Sequence, residues 1–178
     1  LLLTSPFVPL LFQGEEWAAS APFQYFTAHP DEELANAVRA GRKREFAAFA
    51  WQGEVPDPQA AETYHRSCLN WTELQHAPHA SMLSWYRELI RLRRSRAELG
   101  DPRLERTRVT FDQRAAWLVV HRGALAVACN LAPEQQDVPV DGTGRALLLA
   151  SEPEVRLRGD GVRLPAGSVA VLSGPAGQ

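Results

Sequence analysis

Ser5-Pro-Phe-Val-Pro-Leu-Leu-Phe-Gln-Gly-Glu-Glu-Trp17 decides how the rest of this chain is read. An apolar run at residues 8–12 stops at Gly14, and two carboxylates and a tryptophan follow at once. A short apolar run bounded by turn residues reads as a buried strand. In a parallel barrel, the residues just past the C-terminal end of each strand face the active site. The stretch is therefore expected to be a closing barrel strand, in a chain that forms the C-terminal portion of a larger enzyme. Its unpaired apolar edge is expected to make the chain poorly soluble by itself.

Working outward, residues 18–30 read as a loop, and Trp17, Phe23, Tyr25 and Phe26 crowd into ten positions at its start. Asp31 is placed to cap a helix that begins Glu32-Glu33-Leu34, where first-turn acids meet the positive end of the helix. Gly41 is expected to end or kink that helix, with residues 45–51 continuing it and Phe46 and Phe49 on one side. Pro56 and Pro58 force extended geometry on their predecessors, so residues 53–58 read as a loop. The strongest helical period runs over residues 79–99, where Met82, Trp85, Tyr86, Leu89 and Leu92 form an apolar stripe. That stripe is expected to pack on a barrel sheet, and Gly100-Asp-Pro102 to stop the helix.

From residue 104 the pattern changes. Short β-rich runs appear at 108–111, 116–121, 125–130, 137–140, 146–149, 155–157, 161–164 and 168–172, divided by Gly, Pro and Asp turns. Short strands without intervening helices predict an antiparallel sandwich. The expected fold class is thus α/β plus all-β: the last βα unit of a (β/α)8 barrel over residues 1–99, then a β-sandwich domain over 100–178.

Composition excludes some classes of function. With 45% hydrophobic and 22% charged residues the chain is an ordinary globular protein, and a net charge of −2 offers nothing to nucleic acid or an anionic membrane. Lys43 is the only lysine, and Arg42-Lys43-Arg44 reads as a solvated helix face. Cys68 and Cys129 have no CxxC context, which fits a reducing cytoplasm. Residues 1–12 lack a basic leader and are broken by Pro6 and Pro9, so they make a poor signal peptide and are too short for a membrane span.

The candidate chemistry lies after Gly14. Glu15 and Glu16 either bind sugar hydroxyls at a strand exit or sit in a first helical turn where negative charge is favourable. Sugar rings present apolar faces, and Trp17, Gln24, Tyr25, Phe26 and His29 supply platforms beside hydrogen-bonding groups. The same aromatics could equally cover a core. His76 and His79 have the spacing of a metal pair, but Pro78 interrupts them and no third ligand is near. His65 and His121 are isolated and read as ordinary surface or core residues. No metal or cofactor is expected.

Pro9-Leu-Leu-Phe-Gln-Gly-Glu-Glu-Trp17 resembles the eighth-strand motif of the α-amylase superfamily, glycoside hydrolase family 13. Pro22-Phe-Gln-Tyr-Phe-Thr-Ala-His-Pro30, Gly41-Arg-Lys-Arg-Glu-Phe46, Val55-Pro-Asp-Pro-Gln59 and Ser67-Cys-Leu-Asn-Trp71 are similar to strings of its malto-oligosyltrehalose trehalohydrolase family. Leu164-Pro-Ala-Gly-Ser-Val-Ala-Val-Leu172 resembles the last strands of the superfamily's β-domain. Two positions depart: Ala18 stands where members often have Gly, and Ala28 where they often have an acid. The resemblance implies a retaining glycosidase of trehalose biosynthesis that cleaves the α-1,4 bond next to a terminal trehalose. Its partners would be a malto-oligosaccharide substrate and the remainder of its own barrel. Retaining chemistry uses two carboxyl groups, and the family carries these on the fourth, fifth and seventh strands with a third Asp. No catalytic residue is therefore expected here. Glu16, Trp17, Gln24, Tyr25, Phe26 and His29 are the expected substrate-binding residues.

Three alternatives remain. A glycogen-branching enzyme shares a similar eighth-strand motif, though the Phe-Gln-Tyr-Phe and Pro-Asp-Pro-Gln strings speak against it. A glycan-binding β-module would need an aromatic platform after residue 100, where Phe111 and Trp117 both read as buried. A purely structural interaction domain would fold stably alone.

Overall fold

Residues 8–12 are not a strand. The computed structural model describes residues 1–49, 53, 55–142 and 144–174, and among these no strand lies beside the run. Val8 and Leu10 are 92% and 86% exposed. A strand exists only where a neighbour takes its backbone N–H and C=O groups. With no neighbour present, and with Pro6 and Pro9 lacking an N–H, the apolar run stays an irregular surface segment.

Two compact units form, Phe12–Leu83, and Leu1–Leu11 with Ser84–Gln178. This division differs from the one expected at residue 99, because helix α3 (His79–Ser95) is split between the units.

The second unit carries eight strands: β1 (Thr107–Asp112), β2 (Trp117–Arg122), β3 (Leu125–Asn130), β4 (Gln136–Pro139), β5 (Leu147–Ala150), β6 (Arg156–Arg158), β7 (Gly161–Leu164) and β8 (Val169–Leu172). They pair antiparallel into a sheet of order β1-β2-β3-β8-β5 and a sheet of order β4-β7-β6. Val119, Ala128 and Leu172 from the first sheet share one core with Val138, Val162 and Leu164 from the second. That shared core makes the expected sandwich. The outer face of the larger sheet buries Val127, Cys129 and Val171, with Leu92 of α3 packed on them, so β3 is buried on both faces.

Phe111 departs from expectation at 67% exposed, while Trp117 is partly buried against the core. Edge strand β1 places Phe111 opposite Leu118, on the outer face at the rim of the sheet. One exposed ring is still short of a glycan platform.

Buried polar groups pin the loops. Asn130 is fully buried, and its Nδ2 donates to the carbonyls of Glu134, Leu164 and Pro165 while its Oδ1 accepts from Ala132 N and Gln136 Nε2. Arg122, 1% exposed, donates to the carbonyls of Thr4, Glu98 and Asp101. Arg93 does the same for Leu3, Ser5 and Phe7. These two arginines hold the first residues of the chain within their unit.

The helices are α1 (Glu32–Ala48), α2 (Ala61–Arg66), α3 and α4 (Ala97–Gly100). Asp31 caps α1 as expected, accepting from Leu34 N at 2.9 Å. Gly41 does not end it: the helix runs on to Ala48, since glycine is only a weak helix former. The expected continuation through residues 50–51 lies outside the described residues. Helix α3 stops early, since Arg96 is extended, and none of its residues is buried. The apolar stripe therefore packs less than expected: Leu92 meets the sandwich, whereas Met82 stays open and no barrel sheet is present among the described residues. No helix of the described residues is long and apolar enough to cross a membrane.

Candidate functional site

Within Phe12–Leu83, the site is built on a tight reversal at Gly14. Its φ of +82° suits glycine, and a Cβ there would lie 2.7 Å from that of Ala19 and 2.9 Å from Leu69 Cδ2. One turn of 3-10 helix follows, Glu15–Trp17, so the two acids occupy a first helical turn. Ala18 closes it in the left-handed region at φ +53°. Ala19 N returns to Gly14 O at 2.8 Å.

This turn is braced from residues 70–79. Trp17 is 2% exposed and packs on Trp71 with centroids 5.2 Å apart. It is a packing residue in this unit, not an open platform. Its indole N–H lies near Glu73 without making a hydrogen bond of ordinary geometry. Glu73 accepts from the hydroxyl and the N–H of Ser20, and these bonds hold its carboxyl below the usual range. His79 Nδ1 lies 3.0 Å from Trp17 O and 3.1 Å from Ala18 O. Both partners are acceptors, so Nδ1 carries the proton. His79 is thus spent on bracing rather than on a metal pair with His76.

Phe12, Gly14, Ala18, Pro22, Phe23 and Leu69 are among the residues lining a groove of about 400 Å3. Glu15, rather than Glu16, lines it, and the Glu15 carboxylate also accepts from Phe12 N at 3.1 Å. Glu16 is half-buried in the 3-10 turn. A second hollow, about 280 Å3, is lined in part by Phe23, Gln24, Tyr25, Arg42 and Phe46. Arg42 lies over the Tyr25 and Phe46 rings, 5.1 and 4.9 Å from their centroids, which closes one side of this hollow.

Phe26 joins an aromatic ladder that reading by residue type left incomplete. Phe12 meets Phe23 at 4.9 Å, Phe23 meets Phe26 at 6.4 Å, and Phe26 meets Tyr64 of α2 at 5.2 Å, all edge-on. All four rings remain exposed. Of the expected residues, Gln24 and Tyr25 line the second hollow and Phe26 stands in the ladder, whereas His29 lines neither hollow and its Nε2 lies 3.1 Å from Thr27 Oγ1. Trp17 lies apart from them, packed on Trp71. Tyr64 could not be anticipated, because it reaches Phe26 from 38 positions away through tertiary packing alone.

Residues 102–171 match a family described as a domain of unknown function, DUF3459. The chain is 44% identical over 173 residues to malto-oligosyltrehalose trehalohydrolase of Mycobacterium tuberculosis (strain ATCC 25618 / H37Rv), covering 97% of this chain and 29% of that protein. To the enzyme of the same name from Rhizobium sp. (strain M-11) it is 47% identical, with the same coverage. Among solved structures, a protein from Salmonella typhimurium provisionally named an α-amylase matches with a TM-score of 0.78 and 35% identity, over 97% of this chain and 29% of that one. The α-amylase of H. orenii shares the fold, at a TM-score of 0.57, 18% identity and coverage of 97% and 33%. The chain spans less than a third of the length of the curated relatives it matches. Over nearly all of its own length, the chain is similar in sequence to a part of the malto-oligosyltrehalose trehalohydrolases.

Proposed function

We propose that this chain is the C-terminal portion of a retaining glycosidase that releases trehalose from the end of malto-oligosyltrehalose, in cytoplasmic trehalose biosynthesis. Residues 1–99 belong to the end of its catalytic barrel and 100–178 to its C-terminal β-domain. The catalytic carboxyl groups lie in the rest of that barrel, and residues 8–12 gain strand partners there. Glu16, Gln24, Tyr25, Phe26 and His29 face the sugar along one side of the cleft, while Trp17 packs on Trp71.

The observation that carries this reading is the row of exposed rings Phe23, Tyr25 and Phe26, with the half-buried Gln24 and His29 in the same loop. Aromatic faces with a few polar groups suit the apolar faces and hydroxyl rims of glucose units. The identity of 44% to a trehalohydrolase supports the substrate class. The test is to assay the full-length protein on maltotriosyltrehalose and on amylose. Trehalose release from the first supports the reading, and branch formation on amylose overturns it in favour of a branching enzyme.

A further inference from the structure

The loop at residues 24–29 has no secondary structure and is held by a second segment, residues 57–67. Gln24 N donates to Ser67 Oγ at 3.0 Å, Thr27 N to Pro58 O at 2.8 Å, and His29 N to Gln59 Oε1 at 3.0 Å. Three backbone donors of the loop are thus received by one carbonyl and two side chains. An irregular loop must send its backbone hydrogen bonds somewhere, and here they leave for a segment about 30 to 43 positions on.

The receiving groups are themselves fixed. Ser67 Oγ donates to Thr63 O at 2.9 Å, inside the first turn of α2. Gln59 N donates to Asp57 Oδ1 at 2.9 Å, and Arg39 Nε reaches both Asp57 oxygens at 3.0 Å. The bond from Gln59 and then the Arg39 partner hold the Asp57 carboxyl below its usual range, so the support stays charged at neutral pH. Thr63 Oγ1 donates to Asp57 O at 2.6 Å, which ties α2 to the same turn.

We propose that Gln59 and Ser67 are positioning residues for ligand binding: they touch no sugar, but set the backbone from which Tyr25, Phe26 and His29 meet one. This rests on the proposed sugar-binding role of the 24–29 loop. A binding loop displaced by a fraction of an ångström loses contacts that depend on stacking and hydrogen-bond geometry. Each lost backbone tether is therefore read mainly as weaker binding.

The experiment uses full-length protein with maltotriosyltrehalose as substrate. Gln59→Met keeps the length of the side chain and removes its acceptor; Ser67→Ala removes the hydroxyl. In either variant KM is expected to rise by about fivefold while kcat stays within about twofold, the pattern of a binding interaction made equally in ground and transition states. The melting temperature of Gln59→Met, whose side chain is only partly buried, is expected to stay near that of the parent. A folded Gln59→Met with unchanged KM overturns the proposal, as does a loss confined to kcat. If neither variant folds, the residues are scaffold only and the proposal fails. Phe26→Ala separates the two levels: an unchanged KM in that variant removes the sugar-binding role of the loop itself, whatever Gln59 does.

Discussion

His79 Nδ1 sits 3.0 Å from the carbonyl oxygen of Trp17, across 62 residues, and so holds a turn that a β-carbon strains. The adjacent Ala18 occupies a left-handed conformation at φ +53° that costs an L-residue about 1 kcal/mol. Ala18→Gly removes that strain at some entropic cost, and stability is expected to rise by about 0.5 kcal/mol. Chemical denaturation measures it. A destabilised Ala18→Gly would mean that the turn is not strained there.

Gly41 offers the opposite lesson. It lies inside α1, and nothing comes within 4 Å of where a Cβ would sit. Gly41→Ala is expected to stabilise the protein by about 1 kcal/mol, since alanine is the better helix former. The readout is a higher denaturation midpoint with an unchanged slope. A lower midpoint would show that an unseen neighbour occupies that space.

Asn130 is the buried knot of the sandwich. Asn130→Ala strips partners from the carbonyls of Glu134, Leu164 and Pro165 and from the amide of Gln136 in one step. Leaving several buried polar groups unpaired is expected to cost about 3 kcal/mol. A loss below about 1 kcal/mol, measured by urea titration, would mean that water replaces the amide.

His121 makes stability depend on pH in a defined direction. Burial, with Arg108 adding repulsion, lowers its folded-state pKa below the ordinary 6.5. The unfolded chain then binds the proton first, so stability falls as pH drops from about 6.5 toward the folded-state value, and this contribution levels off below it. His121→Gln is expected to flatten that part of the pH–stability curve. An unaltered slope would assign it to another group.

How far could this be read without coordinates? Strands 125–130 and 161–164 follow from sequence to the residue, because apolar runs ending at Gly or Pro turns are local signals. Asp31 was equally legible as a cap, since its carboxylate acts three residues away. Residues 8–12 were not, because composition signals a preference for burial, whereas a strand is a pairing that needs a neighbour. Trp17 shows the same gap at the site: residue type marks it as an aromatic near a mouth, and only packing on Trp71 reveals that it faces inward. The tethers from Gln59 and Ser67 were also hidden, since a backbone bond to a distant polar side chain leaves no period or spacing to find.

A crystal structure of the full-length protein with maltotriosyltrehalose bound tests the central claim most directly. The account predicts glucosyl rings within about 4 Å of Tyr25, Phe26 or His29, the distance of van der Waals contact. Finding that loop buried beneath other parts of the protein, with the sugar elsewhere, would contradict it.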